Sequence, residues 1–412
     1  MEKPGVHFPA PQGIGWSVLR HCACTIGALH VILTLCGCTK SSTSEPEAES
    51  PPKGLYAVSP PAGKLPWPLH NPAFSQSAYD DMMHRLFIIN NFGEYQEGQT
   101  KDEIALHDGI DIVVAANGTR VYAVDSGYVK AINSAVDGYK HIIIGDTRGS
   151  LPGNCWVYAH TDSFQYAVGA HVSQGAFIAV IRFNGLPHVH LNRGYLVSGS
   201  WDNWSDMSFV QPDGFFDFED TEPPVIESPF YYYRNNTDSL FARSGLPVIA
   251  GDVDIVAGMR DPGAYAHSRD AGIIDPGNGD RLCVSRVEYE LSRQGGVTER
   301  RTSFDFSKLV CRSDTDRDRR AQTVFKYRPG VNPPPPDATT VFSYYIVTNA
   351  DPAGPTGDVR VGDSDFAWNT AAHDTQGNPR YPDGVYRITI KAYDAHGNSS
   401  TGVDSVIVKN SP

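Results

Sequence analysis

Between residues 120 and 181, side chains suited to extended backbone come in short runs, each ending near a glycine, aspartate or asparagine. The runs are 120–124, 128–132, 140–144, 155–159 and 176–181. They have the length of strands and are too short for stable helices, so this part of the chain is constrained to a sheet of short strands joined by tight turns. The same punctuation continues downstream, and with 39 glycines and 30 prolines it predicts a mostly β protein. A short helix is expected earlier, over 77–88, where Tyr79, Met82, Met83 and Leu86 approximate helical spacing.

A chain of 412 residues exceeds one compact core, so two folded domains plus irregular segments are expected. The acidic, Pro-Pro-containing stretch Phe218-Glu-Asp-Thr-Glu-Pro-Pro-Val225 reads as a linker. The division is then a processed leader at 1–37, a disordered Ser/Glu/Pro-rich tether and arm at 38–75, a first domain at 76–217, a linker at 218–228 and a second domain at 229–412. In the second domain, Tyr386, Ile388, Ile390 and Ala392 alternate with Arg387, Thr389 and Lys391, and a turn then leads into Asp404-Ser-Val-Ile-Val408. That terminal hairpin resembles the end of an immunoglobulin-like or fibronectin-like β-sandwich. Tyr231, Tyr232 and Tyr233 read as core aromatics, and the Asp-rich stretch 314–318 as a solvated loop. A net charge of −13 implies no basic surface and argues against a nucleic-acid partner.

Three fragments carry chemistry. In Leu106-His107-Asp108-Gly109-Ile110-Asp111-Ile112, alternation buries the two isoleucines and turns Asp111 to the opposite face, while Gly109 lets the chain bend so that His107 approaches the same point. Tyr158-Ala159-His160 ends a strand. In Pro187-His188-Val189-His190-Leu191, the two histidines share one strand face and Val189 points into the core. Two histidines and one carboxylate, with a water in the open position, make a normal catalytic zinc set. A structural zinc site would fill every position with protein atoms, and no cysteine pair here has ligand spacing.

Taken together, the fragments resemble the lysostaphin or LytM-type zinc endopeptidases, whose pattern is His-x-x-x-Asp, a strand ending in His, then His-x-His. Asn91-Phe-Gly-Glu-Tyr95 and Gly118-Thr-Arg-Val-Tyr-Ala-Val-Asp-Ser-Gly-Tyr-Val129 match the text around the first motif. The resemblance covers about a quarter of the chain, from Asn91 to Leu196. It implies a LytM-like antiparallel β-sheet domain and one zinc ion per chain held by His107, Asp111 and His190. It assigns His160 and His188 to the water that attacks the peptide bond, and makes bacterial peptidoglycan peptide the substrate. A non-catalytic LytM-like scaffold that activates another cell-wall hydrolase is the alternative, and a binding lipoprotein acting through its second domain is a third. The sequence departs from the pattern where an acidic residue often follows His-x-His by two places; that position is Asn192.

The leader ends in Leu35-Cys36-Gly37-Cys38, which resembles the bacterial lipoprotein box. That implies lipidation of Cys38 and a lipid-anchored protein of the cell envelope, with Lys40 pointing to the outer membrane if the cell is Gram-negative. Of the remaining thiols, Cys283 and Cys311 are the more plausible disulfide pair, against the alternative of three buried free thiols with Cys155.

Overall fold

The structure, a computed structural model, describes residues 56–97, 104–134, 139–148, 151–218, 220–262, 282–293, 296–307, 311–312, 321, 323–326, 342–349 and 366–411. The expected leader, Cys38, the first part of the expected tether and the 314–318 loop lie outside them.

Every strand expected between residues 120 and 181 is present. The main sheet is nine-stranded, and along its path run Ile88–Asn90, Ile110–Val113, His188–Leu196, Gly153–Ala159, His141–Gly145, Gly127–Asn133 and His171–Val172. All of these pairings are antiparallel. Arg120–Tyr122, Phe177–Ile181 and Thr161–Asp162 form a separate three-stranded sheet. The expected helix is Gln76–Arg85, started by Ser75, whose side chain accepts from the Ala78 N–H. It stops short of the expected Ile88 because Ile88 enters the main sheet opposite Ile112.

Both faces of the main sheet pack against apolar cores, and period-two alternation sorts most of its side chains between them. Ile142, Ile144, Trp156, Tyr158, Val189 and Leu191 join one core together with Trp67, Ile178 and Phe216. Ile143, Cys155 and Val157 face the other way, into a cluster shared with Phe304, Phe306, Tyr345 and Ile390 from the later part of the chain. Residues 50–412 are accordingly one compact unit. Part of the segment expected to be a loose tether is packed: Trp67 is 2% exposed, stacks on Phe216 with ring centroids 4.5 Å apart, and donates its indole N–H to the Asp217 carbonyl.

Among the described residues beyond Val225 are two five-stranded sheets. One is built around Asp252–Arg260; the other has the order Val248–Ile249, Ser399–Val408, Gly384–Tyr393, Arg286–Arg293 and Gly296–Asp305. The expected terminal hairpin is present, with Gly384–Tyr393 paired antiparallel to Ser399–Val408. Tyr386, Ile388, Ile390 and Ala392 all face the core as their alternation predicts. Tyr232 and Tyr233 are buried, as expected of core aromatics. The expected Cys283–Cys311 disulfide is not formed: Cys283 is a free, buried thiol whose Sγ accepts a hydrogen bond from the Tyr345 hydroxyl. Its neighbours are a hydroxyl and backbone atoms, and burial pushes its pKa well above the ordinary thiol value.

Candidate metal centre

Strand register assembles the centre. Asp111 is paired with His190, His190 with Ala159, and Ala159 with His141, so one row crosses four strands. Direct partners in antiparallel strands project to the same face. Asp111, His190 and His141 therefore share a face, and the single methyl of Ala159 leaves room between the two imidazoles. His188 lies two residues from His190 on the same face. The strand then ends at His160, whose φ of 58° is the left-handed conformation that few side chains adopt outside functional sites or turns. That turn brings the His160 ring to 4.6 Å from the His188 ring and 5.9 Å from that of His190. Gly109 is required by close approach: a Cβ there would sit 2.6 Å from the Leu191 carbonyl oxygen.

Ligand atoms of His107, Asp111 and His190 lie within 4.8 Å of one another, and all three residues are buried. His107 Nε2 is 3.0 Å from His190 Nδ1 and 3.3 Å from Asp111 Oδ1, and His190 Nδ1 is 2.7 Å from that same oxygen. Neighbouring acceptors decide which nitrogens carry protons. His107 Nδ1 donates to the Asn91 carbonyl at 2.9 Å, so in the neutral ring Nε2 offers a lone pair. His190 Nε2 donates to Asp108 Oδ1 at 3.2 Å, which leaves Nδ1 to face the centre. Two lone pairs and a carboxylate oxygen thus converge on one point. Such a set needs a cation, a proton or a metal ion, at the point of convergence, and its ligand types fit a zinc ion.

The electrostatics agree with that geometry. Burial disfavours charge on His190, but hydrogen bonds to Asp108 and Asp111 outweigh it and raise its pKa to about 10. Burial would likewise raise the Asp111 carboxyl, yet the charges and hydrogen bonds of His107 and His190 hold it well below the usual carboxylate range. The proton that these carboxylates would keep on His190 occupies the place a metal ion takes. His188 differs: burial lowers its pKa against the pull of Asp111, so its neutral form is favoured at neutral pH. Its Nδ1 donates to the Leu186 carbonyl at 2.7 Å, and its Nε2 lies 3.7 Å from Asp111 Oδ1.

A profile of peptidase family M23 matches residues 105–196. The matched segment contains His107, Asp111, His160, His188 and His190. Among solved structures, LytU is 28% identical, covering 28% of this chain and 77% of its own at a TM-score of 0.24. A mutant catalytic domain of the prophage-encoded M23 protein EnpA from Enterococcus faecalis is 20% identical, covering 35% and 95% at 0.24. The antimicrobial peptidase lysostaphin from Staphylococcus simulans is 19% identical, covering 43% and 84% at 0.25. No curated protein matches the chain.

The five residues expected from the sequence motifs come together here. Sequence reasoning missed the residues that hold them. Asp108 is 4% exposed and is fixed by Asn192 Nδ2 at 2.9 Å and by the Trp204 indole N–H at 3.1 Å. The signal was present in Asn192, which stands where an acidic residue is common: here the amide holds the carboxylate of Asp108, and Asp108 holds His190. Asn90 Nδ2 donates to Asp111 Oδ2 at 2.7 Å and fixes that carboxylate. His141, one strand beyond Ala159, lies edge-on to Trp204 at 5.3 Å. Carboxylates behind metal-binding histidines are typically worth 10–100-fold in affinity. Asp108→Ala is therefore expected to weaken zinc binding by about 10–100-fold without unfolding the domain, as measured by competition with a chromophoric chelator. An unchanged affinity would show that His190 needs no such support.

A second group, Asp220, Asp394 and His396, also brings ligand-type atoms together. Asp394 Oδ1 accepts from the backbone N–H groups of His396 and Asn398, just as Asp374 Oδ1 does from Gln376 and Asn378 in a similar turn. The carboxylate of Asp394 thus serves its own turn.

Proposed function

We propose that this protein is a zinc metalloendopeptidase that hydrolyses peptide cross-links or stem peptides of bacterial peptidoglycan. The observation that carries the reading is the convergence of His107 Nε2, Asp111 Oδ1 and His190 Nδ1, with both ring tautomers set by acceptors behind them. His107, Asp111 and His190 would hold a zinc ion there, and when bound it would supply the Lewis acidity that peptide hydrolysis by water requires. His188 lies beside Asp111 with Nε2 aimed at the centre, and burial keeps its ring neutral, so a lone pair is free to accept a proton. His160, on its left-handed turn, is poised over the same space and donates to the oxyanion that develops on the scissile carbonyl. These two imidazoles take the part that a glutamate plays in helix-borne zinc peptidases.

The test is digestion of purified cell wall, with mass analysis of the released muropeptides, before and after chelation and zinc restoration. Release that depends on zinc supports the reading. Stoichiometric zinc with no release from any wall type would instead favour a scaffold that activates another hydrolase.

The envelope location belongs to the same proposal and rests on Leu35-Cys36-Gly37-Cys38. Cys38 is expected to be the lipidated first residue of the mature chain, carrying two or more acyl chains, because one chain gives only marginal membrane binding. Labelling with a radioactive fatty acid should mark the wild type and not Cys38→Ser. Equal label in both, or a mature N-terminus elsewhere, would show another mode of export.

A further inference from the structure

We infer that Asn91 is a positioning residue through which the region after Val225 sets the aim of the metal ligand His107. The inference rests on the zinc reading above.

The backbone carbonyl of Asn91 is the acceptor that fixes His107 Nδ1. The loop around it follows His107 closely, with Gly93 N–H bonded to the His107 carbonyl at 2.8 Å and His107 N–H to the Glu94 carbonyl at 2.7 Å. The Asn91 N–H donates to Glu94 Oε2 at 3.0 Å. What anchors this loop comes from far along the chain. Asn91 Nδ2 donates to the Cys283 carbonyl at 2.7 Å, and Asn91 Oδ1 accepts from the Cys283 N–H at 3.0 Å. The amide thus pairs with both backbone groups of one residue, as a neighbouring strand would. Cys283 is itself held by Tyr345, whose hydroxyl donates to its Sγ at 3.2 Å and accepts from the Val284 N–H at 3.2 Å.

Packing closes the arrangement. Gly93 has φ of 85°, and a Cβ on it would meet the Phe306 ring at 2.6 Å, so that ring lies flush against the loop. Asn91 is 4% exposed, which makes loss of either bond strand a buried polar group on each side. Groups that orient metal ligands change affinity by about 10–100-fold when removed. By linkage, zinc binding must stabilise the Asn91–Cys283 pair as much as the pair strengthens zinc binding.

The experiment uses the full chain. Zinc affinity is measured by chelator competition for wild type, Asn91→Ala, Asn91→Asp and Asp111→Ala. Amide hydrogen exchange at Cys283 is measured with and without zinc. Asn91→Asp keeps the volume and the acceptor but replaces the amide donor with a carboxylate that faces the Cys283 carbonyl, so it breaks the same pair by a second route if the alanine variant does not fold. Both Asn91 variants are expected to bind zinc about 10–100-fold more weakly. Zinc should slow exchange at Cys283 in wild type and have little effect on it in the Asn91 variants. A purely structural role would leave the zinc response at Cys283 no larger than that of core amides remote from the centre. Affinity within about twofold of wild type in a folded Asn91 variant, or exchange at Cys283 in wild type that ignores zinc, overturns the inference while the zinc reading stands. If wild type binds zinc no better than Asp111→Ala, the zinc reading itself fails, and this inference with it.

Discussion

His190→Ala is expected to purify without zinc and to leave cell wall undigested. The imidazole it removes supplies one of three converging ligand atoms, at 2.7 Å from Asp111 Oδ1 and 3.0 Å from His107 Nε2. The remaining pair is a poor zinc site, and the void leaves Asp108 and Asp111 without the ring that separates them. Lewis-acid stabilisation is worth several kcal/mol, and each 1.4 kcal/mol is a factor of ten, so activity should fall by at least about 10³-fold. Asp111→Ala should do the same, because Asp111 Oδ1 lies against the nitrogens of His107, His188 and His190 alike. Elemental analysis of the purified variants and muropeptide release read the two effects together. Stoichiometric zinc retained in His190→Ala would sink the ligand assignment.

The complementary result is expected for His160→Ala and His188→Ala. Both should keep about one zinc per chain and lose about 10²-fold or more in turnover, the usual worth of a proton-transfer group or an oxyanion donor. The reason for retention differs between the two. The His160 ring is 5.9 Å from that of His190 and takes no part in the tight ligand group. His188 Nε2 sits 3.7 Å from Asp111 Oδ1, farther than either nitrogen of the ligand set. If His188→Ala lost its metal while His190→Ala kept it, the two histidines of the His-x-His motif would have to exchange roles. Equal zinc content with undiminished turnover would remove both residues from the chemistry.

Much of the first β-rich region was legible because its information is local. Short β-rich runs closed by Gly, Asp and Asn predicted the strands, and each is present. The i, i+2 spacing of His188 and His190 put them on one face, and Ile110 and Ile112 flank Asp111 as alternation requires. Where the reading went astray, a long-range contact prevailed over a local trend. The helix ends at Arg85 because Ile88 finds Ile112. Trp67 in the Pro-rich arm finds Phe216, far along the chain, and is packed. Cys283 was paired with Cys311 on the basis of position, whereas its thiol is met by the Tyr345 hydroxyl.

By itself, the sequence determined the strand pattern, the five residues of the centre and their order along the chain. The strands follow from periodicity and residue type, which nearby positions encode, and the five residues from the resemblance of their motifs to the LytM-type endopeptidases. Only the tertiary structure decided which nitrogen of each histidine faces the centre. That choice depends on the acceptor behind each ring: the carbonyl of Asn91 for His107, the carboxylate of Asp108 for His190 and the carbonyl of Leu186 for His188. Asn91 is held in turn by Cys283, 192 residues away, and no local spacing encodes such a contact. A hydrogen bond needs its partners within about 3 Å and well aligned, and only the packing of the whole chain brings groups so distant in sequence into that geometry.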